Sequence, residues 1–219
     1  MGVLLLLRHG QGSMGTSDYD QLSELGHRQA RAAGARLARA DLSISQVWCG
    51  GLVRQQETAR AVLAELGRPL SDLRTDDRLD EYDPRGVLGG DIASDPFTAA
   101  TTPASGRALQ TTLDEALGRW IRGGTGYPEP HGAFTGRVEA AVVSLAAMPG
   151  TTLAVTSAGV IAVACAQLTG LPADRWPALA RVVVNASITK LITGQTGTNL
   201  LTFNDHAHLE GDRSLITYR

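Results

Sequence analysis

Two rhythms alternate along this chain. Val3 to Leu7 is an unbroken apolar run of strand length, as expected for a central strand covered on both faces. Segments 43–49 (SISQVWC) and 151–157 (TTLAVTS) read as further strands. Between them, residues 24–40 carry Ala, Leu, Arg and Gln at helical density, with Ser23 placed to cap the first turn and Glu24 to suit its positive end. More helices are predicted from about Val53 to Leu66, closed by Gly67 and Pro69, from about Gly106 to Ile121, over 134–147 and over 160–169. The segments SITKLITG and NLLTFND read as a β-hairpin around Gly197. Strands alternating with helices predict an α/β fold, a three-layer α/β/α sandwich on a mostly parallel sheet. The 219 residues suit one domain, 1–219. The stretch from about 83 to 130, with Pro84, Pro96, Pro103, Pro128 and Pro130, reads as a variable insert or lid too small for a core of its own.

Composition narrows the partners. A net charge of −2 gives no global basic field for nucleic acid or an anionic membrane, so neither is expected. Lys190 is the only lysine among 20 basic residues, so any local basic site is built from arginine, whose fork of donors fits phosphate oxygens. Cys49 and Cys165 lie far apart with no metal or redox spacing, which fits a reducing, cytoplasmic setting. The first apolar run stops at Arg8-His9, so neither a secretion signal nor a membrane span is expected.

In open α/β sheets, ligands bind beyond the carboxyl ends of strands. Arg8, His9 and Gly10 fall there, directly after the first apolar run. Gly10 suits a sharp turn or a close approach to a ligand. Arg54 follows the second strand in CGGLVRQQETA, Glu81 follows a third extended segment in DDRLDEYD, and Ser157 with Gly159 follows a further strand in AVTSAGVIAV. Two cations, an imidazole, a carboxylate and a hydroxyl are thus expected at one sheet edge.

These motifs resemble the histidine phosphatase superfamily, the phosphoglycerate-mutase-like proteins. Arg8-His9-Gly10 matches its Arg-His-Gly hallmark. The segment from Gly50 to Ala59 is similar to its Ser-Pro-Leu-x-Arg-Ala-x-Gln-Thr-Ala element, and Arg78-Leu79-Asp80-Glu81 to its Arg-Leu-x-Glu element. The helix opened by LSELGHRQA and the tail FNDHAHL also fit, so the resemblance runs from residue 3 to about 209. It implies a phosphatase acting on a small phosphorylated metabolite, with no cofactor and no metal. His9 is then the nucleophile that carries the phosphoryl group. Arg8 and Arg54 neutralise its oxygens, and Glu81 is the acid that protonates the leaving oxygen. Two departures stand out: Ser157 occupies the place of the family's second histidine, and Gly15 the place of an asparagine.

Simpler readings stay open beside these. Arg8 and His9 also suit a strand end satisfying backbone carbonyls, Arg54 an exposed helix face, and Ser157 a helix cap. Glu81 has Asp83 as a competitor within an acidic run. Glu129 is a candidate substrate contact and His131 a candidate substitute cation, while His206 and His208 are expected to hold the tail rather than a metal. Three alternative activities remain: a phosphoglycerate-type mutase, a weakened or inactive member that only binds phosphorylated ligands, and an esterase using Ser157. A homodimer remains compatible with the chain.

Overall fold

The computed structural model describes residues 2–13, 20–40, 42–89 and 103–218. Strand β1 (Gly2–Arg8) leads through helix α1 (Glu24–Arg39) to β2 (Ile44–Cys49), then α2 (Val53–Glu65) to β3 (Leu73–Thr75). A short helix α3 (Pro84–Leu88), then α4 (Pro103–Ile121) and α5 (His131–Ala146), precede β4 (Gly150–Thr156). Helices α6 (Ala158–Thr169) and α7 (Trp176–Ala180) lead to the hairpin β5 (Ile188–Gly194) and β6 (Gly197–Asp205).

The six strands form one sheet in the order β3-β2-β4-β1-β5-β6. The first four are mutually parallel; β5 and β6 are antiparallel, as the hairpin reading required. Successive side chains of β1 face opposite sides. Leu4 and Leu6 join Ala154 and the inner faces of α4, α5 and α6, through Trp120, Phe134 and Ile161. Leu5 and Leu7 join Leu153, Val155 and the helices α1 and α2, through Leu37 and Val62. Helices on both faces make the three layers, and each buried leucine of β1 contributes about 1.5–3 kcal/mol.

Boundaries differ where caps and prolines decide them. Ser23 does cap α1, accepting the Gly26 N–H. Helix α6 starts at Ala158 because Ser157 takes the N-cap position. Helix α4 starts at Pro103, which the first turn tolerates because that turn needs no N–H donor. Helices α3 and α7 have five residues each, too few to show a period. The insert is anchored rather than detached: Ala116, Leu117 and Trp120 of α4 are buried in the main core. Residues 90–102 of that insert lie outside the described part.

Candidate active site

The site grows from the register of two neighbouring strands. Arg8 pairs with Thr156 at the ends of β1 and β4, so His9 and Ser157 leave the sheet side by side. The backbone around His9 is tied on all sides. Its N–H donates to the Thr156 carbonyl at 2.9 Å, and its carbonyl accepts the Asn185 side chain at 3.2 Å. Asn185 in turn accepts the Thr217 hydroxyl, and Thr217 accepts the amide of Gln29, a fully buried glutamine of α1. Next to Asn185, Ala186 sits at φ 60, held there by its N–H bond to the Arg8 carbonyl and by the His208 ring N–H on its own carbonyl. Gly10 packs directly on α1. A Cβ at Gly10 would stand 2.3 Å from the Gly26 carbonyl oxygen, and one at Gly26 would stand 2.2 Å from that of Gln11. The close approach Gly10 permits is therefore to a helix backbone.

The ring of His9 is set by two contacts. Nδ1 lies 2.7 Å from the Gly10 carbonyl oxygen, so the proton sits on Nδ1 and the lone pair on Nε2. Arg54 Nε donates to that lone pair at 3.1 Å. Burial, then the charges of Arg54 and Arg8, hold the imidazole pKa well below its usual value, and the Gly10 bond opposes this only in part. His9 is thus a neutral base with a directed nitrogen. Arg54 is aimed by Asp20, whose carboxylate accepts Arg54 Nη1 at 2.6 Å and the Val53 N–H at 2.9 Å. One acidic side chain both caps α2 and orients its arginine. Arg8 is buried, its guanidinium donating to the Val183 carbonyl.

Ser157 is fully buried and makes no side-chain cap on α6. Its oxygen accepts the amide of Gln55, which follows Arg54 on α2, at 2.8 Å. The cap on α6 comes instead from Glu81, whose carboxylate accepts the Gly159 N–H at 2.9 Å. A Cβ at Gly159 would meet that carboxylate at 2.1 Å, so only glycine leaves it in place. Burial pushes the Glu81 pKa up, against the pull of the Gly159 N–H and of Arg54 and Arg8.

The acidic run around Glu81 divides by function. Asp76 caps a 3₁₀ turn and pairs with Arg78, Asp80 accepts the Gly51 N–H, and Asp83 caps α3 from the surface. Glu81 is the carboxylate of this run that bears on Arg8 and Arg54. Its segment is fastened by Arg137 of α5, which donates to the carbonyls of Arg78, Asp80 and Glu81. Glu129, a candidate substrate contact, is the bidentate partner of Arg137 at 2.6 and 3.0 Å. Tyr82 inserts among Trp120, Phe134 and Trp176.

His131 does not supply a cation. Its Nε2 accepts the Trp176 indole N–H at 3.2 Å, and burial lowers its pKa. Gly15 lies outside the described residues. Among the described residues no group of three or more His, Cys, Asp or Glu could hold a metal, and no helix is long and apolar enough to cross a membrane.

Residues 4–206 match the sequence profile of the histidine phosphatase superfamily, branch 1. The chain belongs to that superfamily. A 2,3-bisphosphoglycerate-dependent phosphoglycerate mutase of Brucella ovis is 36% identical over 94 residues, 40% of this chain. That match spans 45% of the mutase, under half the length of the curated relatives. Among solved structures, Bacillus stearothermophilus YhfR superposes with a TM-score of 0.71 at 21% identity, covering 95% of this chain and all of its own. The mycobacterial glucosyl-3-phosphoglycerate phosphatase, solved with inorganic phosphate, gives 0.63 at 27% identity over 94% of this chain and 98% of its own.

Within this superfamily member, the residues at the strand ends do converge: His9 bonds Arg54, Glu81 feels Arg54 and Arg8, and Ser157 bonds the residue beside Arg54. Sequence reasoning did not find Asp20, Gln55, Arg137 or Asn185. Each acts through a bond to a distant residue, and none has a local pattern that separates it from an ordinary polar position.

Proposed function

We propose that this protein is a phosphomonoesterase that moves the phosphoryl group of a small phosphorylated metabolite first to His9 and then to water. The observation that carries the reading is the fixed Nδ1–H tautomer of His9, with the Nε2 lone pair directed to the Arg54 guanidinium. A phosphate entering there meets Nε2 as nucleophile and finds Arg54 and Arg8 as donors. Such charge-assisted hydrogen bonds are worth about 1.5–3 kcal/mol each. Nε2 forms a bond to phosphorus as the ester P–O bond breaks, and Glu81, whose pKa burial raises, gives its proton to the departing oxygen. The Glu81 carboxylate then takes a proton from water as the water oxygen attacks phosphorus, releasing phosphate and free His9. Every step runs through side chains. The low imidazole pKa and the high carboxyl pKa favour the two protonation states that the first step needs. Ser157 serves as a hydroxyl donor in the place of a second imidazole, so turnover is expected to be modest. We place the enzyme in the cytoplasm, where the thiols of Cys49 and Cys165, both buried and pushed up to about 12, stay reduced.

The partial likeness to phosphoglycerate mutases favours phosphoryl transfer to a second hydroxyl as the other reading. One experiment separates the two. The protein is incubated with p-nitrophenyl phosphate, with and without 3-phosphoglycerate, and quenched at high pH for intact-mass and peptide mapping. Hydrolysis with an acid-labile phosphate on His9, both lost in His9→Ala, is the expected result. Transfer to the added acceptor in preference to water would favour a mutase. An adduct on Ser157, or full turnover by His9→Ala, would overturn the assignment.

A further inference from the structure

Gln55 is buried as completely as any residue in the site, yet no step of the reaction above uses it. It occupies the first turn of α2, directly after Arg54, at a position where the family pattern has alanine. The two neighbours divide the site between them: Arg54 reaches His9 and Gln55 reaches Ser157. The amide of Gln55 is oriented without ambiguity. Its nitrogen donates to the Leu79 carbonyl at 3.1 Å and to the Ser157 oxygen at 2.8 Å. Turning the amide over would set its oxygen against the Leu79 carbonyl, which already accepts the Thr156 hydroxyl. In the observed orientation the amide oxygen Oε1 is buried with no hydrogen-bond partner. A buried polar atom left in that state calls for an explanation.

We propose that Gln55 is a positioning residue that makes Ser157 a hydrogen-bond donor to the phosphoryl group. By donating to the Ser157 oxygen, the amide fills an acceptor site on it and directs the hydroxyl proton elsewhere. Among the described hydrogen bonds that proton has no acceptor in the protein. The register of β1 and β4 puts His9 beside Ser157, so a phosphoryl group on or approaching Nε2 is the acceptor at hand. The unpartnered Oε1 is then the cost of keeping the amide turned the useful way. Ser157 touches substrate in this scheme; Gln55 acts through it. The inference rests on the phosphomonoesterase reading, with inorganic phosphate as a probe that needs no turnover.

The test is a double-mutant cycle of Gln55→Met and Ser157→Ala. Two quantities are read: kcat/KM for p-nitrophenyl phosphate, and the affinity for inorganic phosphate by calorimetry. Loss of a hydrogen bond to a charged group predicts that each single variant loses about ten- to a hundred-fold in both. The double variant should be no worse than the weaker single, within about two-fold. Gln55→Glu, of the same size, accepts the Ser157 proton and turns the hydroxyl away. It should bind phosphate more weakly than Gln55→Met, and it serves if the methionine variant does not fold. Independent, multiplying losses would overturn the proposal, as would a Gln55→Met or Gln55→Glu protein that binds phosphate like the native one. Coupling in phosphate affinity without turnover of any monoester would uphold the Gln55 role and reject the esterase reading. Turnover that is indifferent to Gln55 would do the reverse.

Discussion

The two edges of the central sheet form an instructive pair. Where β1 and β4 end, Arg8, His9, Arg54 and Ser157 are buried together, and hydrogen bonds set the direction of the His9 ring, the Arg54 guanidinium and the Gln55 amide. Where the same two strands begin, a cavity of about 770 Å³ opens between Gly2, Met148, Pro149, Thr193 and Gln195. None of the described side chains lining it is ionisable. Volume alone does not make the second end a reactive site. A site capable of reaction is marked by groups whose protonation state and direction are both set, which the open cavity lacks.

That contrast can be broken at its strongest point with Glu81→Gln. Loss of a general acid and base should lower kcat on an alkyl phosphate by about 10²–10⁴-fold. The pH profile gives the sharper readout. His9 reacts only when neutral, so activity falls as pH drops through its depressed pKa, a limb lying below the usual imidazole range. Glu81 acts first as an acid, so activity falls as pH rises through its elevated pKa, above the usual carboxylate range. Glu81→Gln should erase the alkaline limb and keep the acid one. An unchanged alkaline limb would assign the acid elsewhere.

Gly159→Ala comes next. The added methyl group displaces the far end of a flexible side chain, the Glu81 carboxylate, rather than backbone. Misplacement on that scale should cost about ten- to a hundred-fold in kcat with little change in Tm. Steady-state rates and a thermal melt on the same sample check both halves. Asp20→Asn should have a smaller effect. The amide still accepts the Val53 N–H, but Arg54 loses its ionic partner, and about a five-fold drop in kcat/KM is expected. The weakest effect belongs to the opposite edge. Gln195→Ala should leave kcat/KM within two-fold, and a larger loss would mean that the cavity there communicates with the site.

The sequence reads well where one period or one cap decides the element. The apolar run of β1, the capped start of α1, the Gly67 stop of α2 and the Gly197 hairpin all stand where pattern places them, because each is determined by residues adjacent in the chain. The strand-end residues His9, Arg54 and Ser157 were legible for the same reason. Glu129 shows where the method stops. Its carboxylate, a candidate substrate contact, meets Arg137, eight residues on and inside α5, and no local pattern joins a residue ahead of the helix to one within it. Gln29 is harder still: a polar residue on an Ala-rich helix reads as solvated, and only the fold reveals that it is buried against Gln11, Leu215 and Thr217. The same holds for Asp20 and Gln55, whose partners lie on other elements.

The contact that fixes the His9 proton has an evolutionary corollary. Its acceptor is the main-chain carbonyl of residue 10, an atom that every amino acid carries, so no single codon change can delete it. Drift and deliberate randomisation can strip the surrounding side chains one by one while the ring keeps its tautomer. The exposed genetic liability sits at codons 10 and 26, where two glycine backbones touch and any encoded side chain forces them apart. A library seeking new substrates for this protein should hold those two codons constant and spend its diversity elsewhere.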